Sequence, residues 1–104
     1  AKNYKESIKL LENSSFAKND KFQLILGNIY YNNNDYKNAI RVLKKHYFKK
    51  DSRADGKRYT PLALSYYEAN KSKSAVKKYL KKASKNRFER RRAINLAKSL
   101  GLKI

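Results

Sequence analysis

The chain has 104 residues, of which 27 are Lys or Arg and 8 are Asp or Glu, so its formal net charge is +19. This length fits one domain or a few stacked units of a repeat. The absence of cysteine excludes disulfides, thiolate metal sites and thiol nucleophiles. No apolar run reaches the roughly 18 residues of a membrane-spanning helix. We therefore expect a soluble protein without a transmembrane segment, and the sequence leaves open whether it is cytoplasmic or periplasmic.

The positive charge has two interpretations. An excess of this size attracts anionic partners such as nucleic acid, acidic proteins or lipid headgroups. A compositional bias toward Lys, Asn, Tyr and Ile would produce the same excess without selection for binding. Both interpretations stay open at this stage.

Apolar residues recur with helical periodicity along the whole chain. The pattern predicts helices at residues 2–14, 19–32, 35–48, 60–69, 71–85 and 87–100. Between the second and third of these, the sequence "NNND" interrupts the apolar stripe. Asn tolerates the left-handed conformation that ends a helix, and Asp35 is suited to cap the next one. Because strict alternation is absent on both sides, we expect an antiparallel helix pair here and not a β-hairpin.

The start of the fourth predicted helix has two candidate positions. Thr60 followed by Pro61 is typical of an N-cap and a first helical residue, which would leave residues 49–58 as a loop. If the helix starts near Asp55 instead, Pro61 lies inside it and is expected to kink it. At the other end of the chain, Gly101 is expected to stop the last helix.

Segments of the chain repeat at intervals of 32 to 36 residues. Leu26-Gly27 aligns with Leu62-Ala63, and the latter pair aligns with Leu96-Ala97 further along. "YKESIKLL" at residues 4–11 similarly aligns with "YKNAIRVL" at residues 36–43. Internal repeats of this length are typical of helical solenoids, in which each unit packs only on its neighbours.

The repeated positions resemble the motif of the tetratricopeptide repeat (TPR) family. That motif has Leu-Gly-x-x-Tyr in its first helix, then Ala with a large apolar residue four positions on in its second. One copy comprises Leu26, Gly27, Tyr30, Tyr36, Ala39 and Leu43, and the next comprises Tyr59, Leu62, Ala63, Tyr66, Ala75 and Tyr79. The chain departs from the pattern at Gln23, His46, Asp51, Lys82 and Arg87.

The resemblance implies an all-α, TPR-like right-handed solenoid of antiparallel helix hairpins with about six helices. It divides a single domain, residues 1–104, into four parts. These are the second helix of a partial repeat at 1–18, repeats at 19–52 and 53–86, and a C-terminal capping helix at 87–104. Because the first part is a second helix without its first, we expect the chain to be a piece of a longer protein.

The family binds peptides on the concave side of its first helices, which implies a partner-binding groove here. Its predicted residues are Leu24, Asn28, Tyr31, Leu64, Tyr67, Glu68, Arg91, Ile94 and Lys98. Apolar anchors, amides and flanking cations suit a protein or peptide partner with some acidic character. The alternative for Tyr31 and Tyr67 is that they only pack between successive repeats.

Cations follow the second helices, whose positions face the convex side in this family. The predicted basic face consists of Lys37, Arg41, Lys44, Lys45, Lys73, Lys77, Lys78 and Lys81. It is either a solvated surface or a binding surface for nucleic acid or anionic lipid. Aromatic residues do not interleave with these cations in the predicted helices, so base stacking has no evident platform.

Groups for catalysis are sparse in the sequence. His46 is the single histidine and is expected to be structural, and the acids are too scattered for paired acid–base work. We find no glycine-rich phosphate loop, nucleophile elbow or metal-ligand spacing. The sequence thus predicts a non-catalytic interaction module with no catalytic residue, no cofactor and no metal site.

Overall fold

A computed structural model describes residues 6, 9–10, 19–44, 48–50, 52–70 and 72–104. Within these ranges the chain forms five α-helices and no strand, which confirms the all-α class. They are α1 (Asp20–Asn32), α2 (Tyr36–Leu43), α3 (Arg53–Asn70), α4 (Lys73–Ser84) and α5 (Arg90–Ser99). The predicted helix at 2–14 lies outside the described residues, except for three helical positions at 6, 9 and 10. None of the described helices is long and apolar enough to cross a membrane.

The predicted turn between α1 and α2 is confirmed. Asn34 has a left-handed backbone with a φ of 62°, and the amide of Asp35 donates to the carbonyl of Tyr30 at 2.9 Å. The Asp35 carboxylate then accepts from the amide of Asn38 at 3.4 Å and caps α2. The same local chemistry ends α5, where Gly101 has a φ of 70°.

The preferred start of the third described helix was wrong. Helix α3 begins at Arg53, seven residues before Thr60, and Pro61 lies inside it. The hydroxyl of Ser52 accepts from the amide of Asp55 at 3.1 Å, so a local cap signal was present earlier in the sequence. Because proline has no N–H, the carbonyl of Lys57 lacks its usual helical donor. This opening in the hydrogen-bond ladder becomes part of the candidate site.

Two other helix ends differ from the prediction. Helix α2 ends at Leu43 instead of residue 48, and residues 45–47, with His46, lie outside the described ranges. Helix α5 begins at Arg90, three residues later than predicted. The chain before α5 forms turns, in which the amide of Glu89 donates to the carbonyl of Asn86 at 3.1 Å.

The helices pack in chain order, each on the next, and α1 also packs on α3. The core between them consists of Leu26, Tyr30, Ala39, Val42, Leu43, Leu62, Ala63, Val76, Tyr79, Leu80 and Ala97. Gly27 lies directly against Leu43, and a Cβ built on this glycine would overlap the Leu43 side chain. Close approach of α1 and α2 therefore requires the small residue that the repeat motif has at this position.

A polar junction connects the end of α2 to the start of α3. The Arg58 guanidinium donates to the Asp55 carboxylate at 2.9 Å, to the Leu43 carbonyl at 3.0 Å and to the Tyr59 hydroxyl at 3.1 Å. Asp55 is 4% exposed. A buried carboxylate is tolerated only when it is paired, so Arg58 and Asp55 depend on each other.

A second junction connects the start of α3 to the segment before α5. The buried side-chain amide of Asn86 donates to the carbonyl of Ser52 at 3.0 Å and accepts from the amide of Phe88 at 2.9 Å. A Cβ on Gly56 would overlap this Asn86 amide. The contact therefore requires both a glycine in α3 and an asparagine 30 residues later.

The two junctions contain equivalent ion pairs. Glu89 is 2% exposed, and its carboxylate lies 3.7 Å from Nε of Arg92. This pair follows the pair of Asp55 and Arg58 by 34 residues and has the same spacing of three within the pair. The chain thus repeats a buried acid with its arginine at the interval that the motif predicts.

Candidate binding surfaces

A hollow of about 330 Å³ lies between α1 and α3. Its lining residues are Leu24, Asn28, Tyr31 and Asn32 of α1, Lys57, Thr60, Pro61 and Leu64 of α3, and Arg92 of α5. We call this hollow the groove. Four of the nine residues predicted for the partner site line it, namely Leu24, Asn28, Tyr31 and Leu64.

The remaining predicted groove residues lie elsewhere. Arg91 and Ile94 line hollows on α5, while Tyr67, Glu68 and Lys98 line none of these three hollows. Four groove residues were not predicted by the motif, and Arg92 replaces its neighbour Arg91. They are Asn32, Lys57, Thr60 and Pro61. The last three belong to the segment that was expected to form a loop and a helix start, so the wrong boundary of α3 hid them.

Tyr31 and Tyr67 are both partly buried and pack against the core. The Tyr31 ring meets the edge of Tyr36 at 5.9 Å with an angle of 60° between the rings. Burial raises the pKa of the Tyr31 hydroxyl, and the neighbouring Tyr36 and Glu68 raise it further. Tyr31 thus lines the groove and also packs, so that replacing it would disturb both roles.

Polar groups with unused hydrogen-bonding capacity lie on both walls of the groove. The Asn28 side chain donates to the Leu24 carbonyl at 2.9 Å, and its Oδ1 accepts no bond within the described residues. On α3, the buried hydroxyl of Thr60 has no partner among the described residues, and the Lys57 carbonyl lacks the N–H that Pro61 cannot supply. Buried groups of this kind are stabilised when a bound segment supplies the missing partner.

The predicted basic face is exposed where the structure describes it. Lys37, Arg41, Lys44, Lys73, Lys77, Lys78 and Lys81 are exposed, and Lys45 lies outside the described residues. Some of these cations also contact rings of their own chain. Lys44 lies 5.9 Å from the ring centroid of Tyr66, and hydrogen bonding to Tyr66 raises the pKa of Lys44. Lys78 lies 5.4 Å from the ring of Tyr79.

A third surface surrounds Phe88, which is 37% exposed. The guanidinium of Arg53 lies 4.4 Å from the ring centroid and that of Arg87 lies 4.7 Å from it. Two adjoining hollows of about 460 and 590 Å³ run along α5, and both are lined by Arg91 and Asn95. We call Arg53, Arg87, Phe88, Arg90, Arg91 and Arg92 the arginine surface. Here an exposed aromatic does interleave with cations, contrary to the expectation from the predicted helices.

Groups for chemistry do not converge in the described part of the chain. Within it, no cluster of three His, Cys, Asp or Glu side chains could hold a metal ion. The two most buried acids, Asp55 and Glu89, are each next to an arginine of the same helix turn. What these surfaces offer is recognition through hydrogen bonds, apolar contact and positive charge.

Comparisons with protein-family models, with curated proteins and with solved structures give no match to this chain. The assignment to a repeat family therefore depends on the residue pattern and on the 34-residue spacing of the ion pairs.

Proposed function

We propose that this chain is a non-catalytic, TPR-like interaction module that holds a segment of a partner protein in the groove. In this proposal α1 with α2 and α3 with α4 are two complete hairpins of a right-handed solenoid. The recurrence of the acid–arginine pair after 34 residues supports the repeat, as does the packing of each helix on the next.

The observation that carries the proposal is the composition of the groove. Helices α1 and α3 are equivalent first helices of the two repeats, and their side chains meet around one hollow of about 330 Å³. Leucines supply apolar contact, Asn28 and Asn32 supply amides, and Lys57 and Arg92 supply charge. This mixture is typical of sites that bind a peptide through a few anchors with polar contacts around them.

The groove favours a partner segment of a particular chemistry. An apolar side chain fits between Leu24 and Leu64, and an acidic side chain complements Lys57 and Arg92. A backbone N–H of the segment can donate to the Lys57 carbonyl that Pro61 leaves open. We therefore propose an extended acidic segment with at least one large apolar residue.

A selection from a displayed random peptide library tests this function. Enriched peptides should contain acidic and apolar residues, and their affinity can be measured by fluorescence anisotropy. Lys57→Glu should weaken binding by tenfold or more, because it reverses a charge at the groove. The matched control is Lys73→Glu, which makes the same charge change at an exposed position of α4 outside the groove.

Equal losses in the two variants would mean that net charge and not the groove selects the peptide, and the proposal would fall. A selection that enriches no peptide would also contradict it. The alternative is that the basic face binds nucleic acid or anionic lipid. In that case oligonucleotides or phosphatidylserine vesicles would bind the chain, and Gln at Lys73, Lys77 and Lys81 would abolish that binding.

A further inference from the structure

Positive charge is concentrated in the last third of the chain. Residues 69–104 contain thirteen Lys or Arg and a single acid, Glu89. That acid is buried next to Arg92, so it does not offset the other cations at the surface. The cations divide by type, since α4 has lysines only and α5 begins with three arginines.

Arginine and lysine are not equivalent at such a surface. A guanidinium presents several N–H donors in one plane, can bind two phosphate oxygens at once and stacks on flat rings. Arg53, Arg87, Arg90 and Arg91 form no ion pair or hydrogen bond with the described residues. Their donors therefore remain accessible to an anion in the described part of the chain.

The arginine surface is held in place by the junction described above. Asn86 bonds to the carbonyl of Ser52, the residue before Arg53, and to the amide of Phe88. This single buried side chain brings Arg53 of α3 next to Phe88, 35 residues later in the chain. The Phe88 ring in turn restrains the guanidiniums of Arg53 and Arg87. Restrained side chains lose less conformational entropy on binding, which favours affinity.

From these observations we infer that the arginine surface binds single-stranded nucleic acid. The arginines contact the phosphates, and Phe88, with the guanidiniums beside it, supplies the flat surface on which a base stacks. Single-stranded nucleic acid fits better than an acidic peptide because it carries both components, regular anionic groups and flat rings. The site is separate from the groove and from the lysines of the basic face, and it does not depend on the proposed peptide function.

The test uses fluorescein-labelled oligo-U and oligo-dT of about 15 nucleotides, a length comparable to known single-strand sites. Anisotropy titrations between about 50 and 200 mM salt give both the affinity and its salt dependence. Arg53→Gln with Arg87→Gln should lower affinity at least tenfold and reduce the slope of log K against log salt by about 1.4, which corresponds to two phosphate contacts. The matched control, Lys73→Gln with Lys81→Gln, removes the same charge from α4 and should change affinity less than threefold.

Substitutions at the ring test stacking separately from charge. Phe88→Leu keeps an apolar side chain and should weaken binding about tenfold with an unchanged salt slope. Phe88→Tyr keeps the flat ring and should bind as the parent does. Lys57→Glu in the groove should bind the oligonucleotide within about threefold of the parent, as the α4 control does, which separates this site from the groove.

Three results would overturn the inference. The first is an equal loss in the arginine pair and the lysine pair, which would indicate binding by net charge alone. The second is a Phe88→Leu variant that is folded by circular dichroism and binds as tightly as the parent. The third is displacement of the oligonucleotide by polyglutamate of equal charge at equal concentration, which would assign the surface to acidic polypeptides. The arginine pair decides the outcome if the leucine variant does not fold.

Discussion

The contact between Gly56 and Asn86 allows a quantitative test of the junction between α3 and α5. A Cβ at position 56 would overlap Oδ1 of Asn86 and lie 2.5 Å from its Cγ and 2.8 Å from its Nδ2. The whole amide would have to move, and with it the bonds to the Ser52 carbonyl and the Phe88 amide. Each lost bond costs about 1 kcal/mol, and more if a buried partner stays unsatisfied. Alanine returns about 1 kcal/mol through its better helix propensity.

Gly56→Ala should therefore lower the free energy of unfolding by about 1–3 kcal/mol, measured by urea denaturation with far-UV circular dichroism. In an Asn86→Ala background the obstructing amide is gone. The same Gly56→Ala change should then be neutral or stabilise the fold by up to about 1 kcal/mol. This reversal of sign is the specific expectation of the contact.

The control for this cycle is Gly101→Ala. Its Cβ would meet nothing within 4 Å, and its cost arises only from the left-handed backbone with a φ of 70°. It should cost about 1 kcal/mol with or without Asn86. If Gly56→Ala has the same effect in both backgrounds, the two side chains do not interact and the proposed geometry of the junction is refuted.

Three further changes test other parts of the fold. Asn34→Gly should keep or slightly raise the melting temperature, whereas Asn34→Val should cost about 1 kcal/mol or more because a β-branched residue resists a positive φ. Leu80→Ala should cost about 2–5 kcal/mol in urea denaturation, since Leu80 is fully buried, and a smaller loss would contradict its central place in the core. Burial raises the pKa of Tyr31, Tyr59 and Tyr79 above the ordinary value of 10.0, so the stability they contribute is present below pH 10.0 and is lost as the pH rises through their higher folded values. Urea denaturation between about pH 9 and pH 11.5 should show this loss, and a chain that becomes more stable over that range would refute the sign.

Features governed by neighbouring residues could be predicted from the sequence. The left-handed positions at Asn34 and Gly101 and the cap at Asp35 depend on backbone rules that operate over three or four residues. The start of α3 depends on more distant contacts. Thr60-Pro61 is a good local start signal, but α3 continues back to Arg53 because Ala54, Asp55 and Gly56 are buried in the folded chain. Tertiary packing thus outweighed local propensity.

The candidate sites divide in the same way. Periodicity along one helix placed Leu24, Asn28 and Tyr31 together, and the repeat motif added Leu64 from α3. The neighbourhood of Arg53 and Phe88 could not be inferred from periodicity, since the two residues are 35 positions apart and meet through Asn86. One signal was available in the sequence, because an acid followed by arginine three residues later occurs at Asp55 and again 34 residues further on.

The hydrogen bond from Arg58 to the carbonyl of Leu43 has a consequence for how the chain divides into autonomous pieces. Helix α2 has only eight residues, too few to persist in isolation, and its last carbonyl is satisfied by a side chain of α3. A fragment that stops between α2 and α3 loses that donor and exposes Leu43, which is fully buried in the intact chain. The smallest cooperative piece therefore extends from α1 into α3, beyond the boundary at residue 52 that the repeat assigns. Amide protons in α2 should accordingly exchange with solvent at the same rate as those in the first half of α3, because both are protected by the same opening event.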